Sequence, residues 1–255
     1  LIDDCNDYTT TLDLITKARE IFPDDNYYPS VEINIAMKLN KVGEARSKID
    51  LQLKSDPQNV SLLFNKAVLY YNLGLAIDSN KSMEEKAKLD SLDKIYAISI
   101  NSYKSVLEIE PNNERAILYM IDAYKALAKP YFDMERNLDF LALKGKYKSE
   151  SDRLKNEENP RLSDALIYAK GYKNMKGDDI SENDINSLYP IFSIAEDYES
   201  LISILSISIK RDSTNMEYLE VLRNAYIKVK DYENAEIFYY EALDNFRLFD
   251  SKKRI

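Results

Sequence analysis

The sequence predicts an all-α protein, a superhelical array of antiparallel helix pairs. The chain has 5 Gly and 7 Pro in 255 residues, too few for the turn-rich connections of a sheet protein. Closing signals that contain proline also recur at a fixed distance, since Pro23 and Pro57 are 34 residues apart. A period of this length is typical of helix-turn-helix repeats, whose neighbouring units stack to make one core.

Residue counts exclude most common catalytic designs. With no His and a single Cys, the chain cannot build a histidine-cysteine zinc site, a Ser-His-Asp triad or a Cys-His dyad. The 44 Asp and Glu residues show no calcium-loop pattern. We therefore expect no enzyme activity, no metal and no cofactor. A hydrolase that uses carboxylates alone is a remote alternative, and it requires a deep pocket with two or more converging acids.

Net charge and hydropathy limit the kinds of partner. A formal charge of −9 disfavours sequence-independent binding to nucleic acid or to an anionic membrane. The longest apolar run, residues 201–209, is interleaved with serine and too short to cross a bilayer. We expect no nucleic-acid partner and no membrane insertion. Because the sequence begins with Leu rather than Met, an upstream segment such as a signal peptide is compatible with it.

The first helices follow from apolar periodicity. A three-residue spacing predicts one helix over residues 6–23. Residues 26–59 form a full repeat, with a first helix near residues 30–39 and a second near 44–54. Ala45 lies where these two helices cross, a place that requires a small side chain.

The next repeat, residues 60–113, contains an insertion. Its closing Pro111 lies 54 residues after the previous closing proline, 20 more than the period. The added residues, 75–94, have no Gly or Pro and favour helix. Ser82 followed by Glu85 has capping-box spacing. The sequence therefore predicts a long second helix over 83–109 that projects past its partner.

The remaining elements match less regularly. Lys129-Pro130 predicts a turn, followed by a second helix over 131–143. The charged residues 145–159 form either a solvated helix extension or a mobile linker. Amphipathic patterns then predict helices over 161–175, 184–195 and 199–209, and a final helix pair over 216–249.

These patterns resemble the tetratricopeptide repeat, over about four-fifths of the chain. In residues 60–113, Leu63, Ala67, Tyr70 and Gly74 match the large, small, aromatic and turn positions of its first helix. The resemblance implies three regions: an N-terminal lobe (1–147) with the extended repeat at 60–113, a weakly matching helical connector (148–181) and a C-terminal lobe (182–255). The chain is similar to bacterial cell-envelope members of this class, which favours the envelope or periplasm over the cytoplasm.

The resemblance also implies a binding surface. In this family the concave groove is lined by first-helix side chains that hold a peptide or a partner helix. The matching positions predicted to bind a protein or peptide partner are Tyr27, Asn34, Met37, Phe64, Asn65, Val68, Tyr71, Arg115, Tyr119 and Asp122. Ser30, Leu118 and Lys125 share this face. An alternative for each ring is that it fills the core between repeats.

Two further interpretations stay open. Some family members clamp a C-terminal carboxylate with two Asn and three cations. The matching positions here are Ser30, Asn34, Asn65, Arg115 and Tyr119, so two cations are missing and the clamp is disfavoured. Alternatively, the chain is an assembly subunit that docks onto sister subunits through its projecting helix and its C-terminal repeat. The sequence leaves the oligomeric state open.

Overall fold

A computed structural model describes residues 8–22, 27–39, 41–141 and 148–240, and all regular structure in these ranges is helical. The helices are α1 (Tyr8–Ile21), α2 (Tyr27–Lys38), α3 (Val42–Ser55), α4 (Val60–Ser79), α5 (Glu85–Ile109), α6 (Glu114–Leu141), α7 (Lys148–Lys176), α8 (Glu182–Ile194), α9 (Tyr198–Arg211), α10 (Met216–Lys228) and α11 (232–240). A 3-10 turn, Gly177–Asp179, follows α7. The predicted all-α class is confirmed.

Asparagines placed just after the repeat closures start the next helices. The side-chain oxygen of Asn59 accepts a hydrogen bond from the backbone N–H three residues on, at 3.0 Å. Asn113 and Asn215 accept in the same way. Caps of this kind stabilise a helix by about 1 kcal/mol each. At Pro57 and Pro111 the proline of the closure stops one helix and the asparagine begins the next, so the closing motif fixes both ends of the turn.

The first full repeat buries a compact apolar cluster. Ala45 is fully buried, as predicted for a helix crossing, and it shares the cluster with Ile33, Ile49 and Leu62. Burial of such side chains stabilises the fold by about 2 kcal/mol each. The cluster joins α2, α3 and the start of α4 into one unit.

The extended repeat is an antiparallel pair of long helices. The Ser99 hydroxyl donates to the backbone carbonyl of Ala67 at 2.8 Å, deep between α4 and α5. The observed α5 confirms the predicted long second helix. However, α4 also continues five residues beyond Gly74, and Lys88 lies 3.5 Å from Asp78 near its end. The predicted projection of the second helix past its partner is therefore wrong, because the inserted residues lengthen both helices.

The predicted capping box at the start of α5 is also wrong. The N-cap is Glu84, whose carboxylate accepts from the amides of Lys86 and Ala87. Ser82 lies two residues earlier and donates to the side chain of Asn80. A carboxylate at the cap carries a full charge beside the positive end of the helix, so it makes the stronger acceptor.

The predicted turn at Lys129-Pro130 does not exist, because α6 passes through Pro130 without interruption. Proline has a helical φ and removes only one backbone hydrogen bond, so a helix held by other contacts can continue through it. Leu127 and Ala128, just before it, are both buried. The sequence predicted as a separate second helix is therefore, as far as Leu141, the end of α6.

The chain divides into two compact units, residues 1–127 and 128–255. In the second unit, α8 and α9 confirm the helices predicted at 184–195 and 199–209. The charged residues 148–159 are helical and begin α7, which supports the helix extension for that part. The final repeat is described as far as residue 240, and the rest of it lies outside the described residues. The lobe boundaries at 147 and 181 remain a prediction.

One helix of the described residues, α4, is long and apolar enough to cross a membrane by length and composition. The prediction that the longest apolar run is residues 201–209 overlooked it. Lys66, in the middle of α4, pairs with Asp50 of α3 at 2.9 Å. The helix also buries Leu62, Leu63 and Ala67 against its neighbours. One face of α4 therefore packs in the core of the first unit, and 33% of its apolar window is buried.

Candidate partner-binding groove

Side chains from α2, α4 and α6 meet in one cleft of the first unit. Five predicted site residues line it together: Tyr27, Asn34, Phe64, Asn65 and Arg115. The cleft has a volume of about 600 Å³. Its remaining wall comes from the beginnings of α4 and α6, where Val60, Ser61 and Asn113 lie. The register of the repeats thus predicts which side chains converge here.

A second cleft continues the first along α2. Its volume is about 560 Å³, and it is lined by Tyr27, Val31, Asn34, Ile35, Met37, Lys38 and Asn72. Tyr27 and Asn34 belong to both clefts. The two clefts therefore form one continuous surface, which we call the α2–α4–α6 groove. Asn72 was not among the predicted site residues. It lies on the same face of α4 as Asn65, two helical turns further along.

Aromatic rings pack around Phe64 at the Arg115 end of the groove. The Arg115 guanidinium lies over the Phe64 ring, 5.0 Å from its centroid. The Phe64 ring packs edge-on against Tyr103 at 5.5 Å and against Tyr119 at 5.7 Å between centroids. Tyr103 is fully buried, whereas Tyr119 is 40% exposed. Phe64 therefore packs against the core and also lines the groove, so the two alternatives for such rings coexist in one side chain.

The other predicted site residues lie outside the two clefts. Val68 and Tyr71 are half-buried on α4. Burial raises the pKa of Tyr71, and the nearby carboxylate of Asp122 raises it further. Asp122 is itself paired with Lys125 at 2.6 Å. These side chains lie near the groove but do not line it. The role of the ten predicted residues in binding a partner remains a prediction.

Sequence reasoning missed Tyr103, which lies on a second helix. Its hydroxyl is buried and has no hydrogen-bond partner among the described residues. Burial raises the pKa of Tyr103 well above its usual range, and its neighbours Tyr119, Tyr71 and Asp122 add to this. The available signal was its position seven residues after Tyr96, which puts both rings on the face of α5 that meets α4.

The groove lining includes three amides and one guanidinium that have no hydrogen-bond or ion-pair partner among the described residues. Among the described residues, the amides of Asn34, Asn65 and Asn72 make no hydrogen bond, and Arg115 makes no ion pair. Asn113 differs, because it caps α6. Each unpaired amide offers one donor and one acceptor function to a ligand.

Two tyrosines on the corresponding first helices of the second unit have hydrogen-bond partners within the chain. The Tyr189 hydroxyl donates to Glu217 at 2.5 Å, and the Tyr218 hydroxyl donates to Asn186. Burial, followed by the hydrogen bond and charge of Glu217, raises the pKa of Tyr189 to about 12. These groups have less to offer a ligand, so we take the groove of the first unit as the candidate site.

The described groove lining bears on the carboxylate-hydrolase alternative. No Asp or Glu lines either cleft of the described structure, so neither has the converging acids that a carboxylate hydrolase requires. In the described part of the chain, no group of three or more Cys, Asp or Glu is placed to hold a metal. That the protein is not an enzyme remains a prediction.

Comparison with known proteins identifies the fold. The sequence matches no known protein family and no curated protein. The structure is similar to that of YrrB, described as a TPR protein with an unusual peptide-binding site, with 12% identity, 91% of each chain covered and a TM-score of 0.56.

IFIT1 gives a looser superposition. A monomeric IFIT1 mutant with m7Gppp-AAAA shows 16% identity and a TM-score of 0.46, and human IFIT1 dimer with m7Gppp-AAAA a TM-score of 0.41. In both, 95% of this chain is covered, and the chain spans 52% of the IFIT1 chain. The helix pairs, their period and the likeness to YrrB agree. This chain therefore has the fold of the tetratricopeptide-repeat proteins.

Proposed function

We propose that this chain is a non-catalytic scaffold that binds a peptide or a partner helix in the α2–α4–α6 groove. The observation that carries the proposal is a continuous groove whose amides, Asn34, Asn65 and Asn72, have no hydrogen-bond partner among the described residues. The peptide-binding site described for YrrB supports a peptide as the class of ligand.

The spacing of the amides suits an extended chain. Asn65 and Asn72 are two turns apart on α4, about 10 Å along its axis. An extended peptide advances about 10 Å in three residues, and each residue presents one N–H and one C=O. A segment that lies along α4 can therefore place backbone groups against both amides. This recognition is independent of the peptide's side chains and provides affinity rather than specificity.

The rings of the groove supply contact area. Tyr27 is 62% exposed at the point that the two clefts share, and Phe64 is held by packing on Tyr103. Aromatic side chains bury a large apolar area and lose little conformational entropy when they bind. Apolar side chains of the ligand would therefore lie on these two rings. The net charge of −9 leads us to propose a protein partner rather than a nucleic acid.

A library selection tests the proposal. A random-peptide phage library is selected on the wild-type chain, and the Kd of each enriched peptide is measured by calorimetry. We expect Asn65→Ala to weaken binding about tenfold, the effect of losing one or two hydrogen bonds. Asn101→Ala is the matched control, because Asn101 is exposed on the second helix α5. Enriched peptides whose Kd is unchanged by Asn34→Ala, Asn65→Ala and Asn72→Ala would contradict the proposal.

The assembly alternative has less support. The helix predicted to project lies along α4, with Leu92 and Tyr96 each only 1% exposed. Its apolar face is therefore largely covered within the chain. The C-terminal repeat beyond residue 240 lies outside the described residues, so the prediction for it is untested. Light scattering after size exclusion distinguishes the two functions, since an assembly subunit should self-associate at high concentration.

A further inference from the structure

We infer that the segment bound in the α2–α4–α6 groove is acidic, and that an Asp or Glu side chain within it pairs with Arg115. This inference rests on the proposed function and specifies the chemistry of the partner.

The groove carries charge of the opposite sign to the chain. The formal net charge is −9, with 44 acidic and 35 basic residues. The charged residues that line the two clefts are Lys38 and Arg115, and no Asp or Glu accompanies them among the described lining residues. Charge complementarity across an interface selects the partner more than it adds affinity. An acidic segment is thus attracted to this groove and repelled by most of the remaining surface.

Arg115 is oriented for a carboxylate. Its guanidinium lies 5.0 Å from the centroid of the Phe64 ring, and no described carboxylate pairs with it. When a guanidinium stacks on a ring, its flat face contacts the ring. The N–H groups at its edge can then still donate hydrogen bonds to a ligand. A carboxylate can accept two parallel hydrogen bonds from that edge, an arrangement stronger and more directional than a contact with an ammonium group. Packing on Phe64 reduces the entropy lost when the pair forms.

The number of cations favours an internal acidic side chain over a terminal carboxylate. Among the described lining residues, Arg115 is the cation of the first cleft, and Lys38 lies in the second cleft. The positions where a terminal clamp requires further cations hold Ser30 and Tyr119. One guanidinium matches one carboxylate, while Asn34 and Asn65 remain for the backbone on either side of it. A phosphate backbone would also be attracted to Arg115, but it offers no repeating amides to these asparagines.

A double-mutant cycle tests the inference. Peptides selected on the wild-type chain are first scored for Asp and Glu content. The acidic residue of an enriched peptide is then changed to its amide, and Kd is measured with wild type, Arg115→Ala and Arg115→Lys. We expect either single change to weaken binding about tenfold and the double change to add little. Arg115→Lys should recover part of the loss. Lys94→Ala, which removes an exposed cation on α5, should leave Kd unchanged.

The possible failures are distinguishable. Peptides that require Asn65 but are neutral or basic, and are insensitive to Arg115→Ala, would overturn the acidic-ligand inference while the proposed function stands. Peptides whose Kd is unchanged by Asn34→Ala, Asn65→Ala, Asn72→Ala and Arg115→Ala would overturn both. Loss of binding on C-terminal amidation alone would replace the side-chain pair with a terminal clamp. Binding of a single-stranded RNA probe that is lost in Arg115→Ala would replace the peptide with a nucleic acid.

Discussion

Gly74 is the point of closest approach between the two long helices. A Cβ atom added there would lie 2.6 Å from two ring carbons of Tyr96, a side chain that is 1% exposed. Since the ring is enclosed by packing, it cannot move aside cheaply. We predict that Gly74→Ala destabilises the protein by about 1–2 kcal/mol, because overpacking outweighs the gain in helix propensity. Urea unfolding followed by circular dichroism measures the change.

Gly171 in α7 provides the matched control for this change. A Cβ added there meets nothing within 4 Å. Gly171→Ala should therefore stabilise the protein by up to about 1 kcal/mol through helix propensity alone. Equal effects of the two substitutions would contradict the close approach of Gly74 and Tyr96. Tyr96→Leu combined with Gly74→Ala should recover part of the loss, since it removes the clashing atoms.

Glu32 is a buried carboxylate, 6% exposed, that joins three helices. It accepts hydrogen bonds from Arg19 of α1 at 3.0 Å and from Lys48 of α3 at 2.6 Å. Burial alone would raise the pKa of Glu32, but the two cations outweigh it and lower the pKa below its usual value. We predict that Glu32→Gln destabilises the protein at neutral pH by about 1–3 kcal/mol, because it removes the buried negative charge that pairs with both cations.

The lowered pKa of Glu32 fixes the sign of the pH effect. A carboxylate that is more acidic in the folded state stabilises the protein above its unfolded-state pKa, near 4.5. That contribution disappears as the pH falls through the folded-state pKa. The difference in free energy of unfolding between wild type and Glu32→Gln should therefore be largest at neutral pH and shrink in acid. A constant difference across this range would show that the ion pairs do not stabilise the fold.

For single residues, the repeat register predicted where a side chain lies better than it predicted which partners that side chain has. The repeat period placed Asn34, Asn65 and Arg115 on one face, because face position follows from residue spacing alone. It could not show that their side chains lack partners, since pairing depends on residues distant in sequence. Tyr103 was missed because it lies on a second helix, whereas the resemblance assigns the groove to first helices.

At the scale of helices, the start of α5 tests which side chain acts as the cap. The Glu84 carboxylate accepts from two amides of the first turn, at 3.2 and 2.9 Å, whereas Ser82 makes no contact with them. We predict that Glu84→Ala destabilises the protein by about 1 kcal/mol and that Ser82→Ala changes stability by only a few tenths. The reverse order in thermal unfolding would restore the capping box predicted from the sequence.

Pro130 provides a second test at this scale. A proline inside a continuous helix lacks one hydrogen bond and crowds the preceding turn. We predict that Pro130→Ala stabilises the protein by about 1–2 kcal/mol in thermal unfolding, since alanine restores that bond. Pro57, which lies in a turn, is the control, and Pro57→Ala should be neutral or mildly destabilising. If Pro130 marked a turn instead, the two substitutions would behave alike.

Helix boundaries were predictable where a local stop signal is strong, and not where tertiary packing decides. The closures at Pro57 and Pro111 combine a helix stop with an asparagine cap, and the helices end and begin there as predicted. The insertion contains no such signal until residue 80, so the sequence did not show how it divides between α4 and α5. Burial of Tyr96 against Gly74 decides that division, a contact between residues 22 positions apart.

At the scale of the whole molecule, the charge of −9 and the positive groove act on an acidic ligand over different distances. Repulsion by the net charge extends over the Debye length, about 30 Å at 0.01 M salt and about 8 Å at 0.15 M. The Arg115 pair acts at contact distance, where screening is weaker. Added salt should therefore weaken the long-range repulsion by the net charge at lower concentrations than it weakens the contact between Arg115 and the ligand carboxylate.

We accordingly predict that the association rate of an acidic groove-binding peptide rises several-fold between about 0.01 and 0.15 M salt, while its dissociation rate changes less. Biolayer interferometry with immobilised peptide measures both rates. The amide version of the peptide is the control, since a neutral ligand has no long-range repulsion to lose. Arg115→Ala should raise the dissociation rate and leave the salt dependence of association in place. An association rate that falls as salt is added would show that the groove, rather than the net charge, governs the encounter.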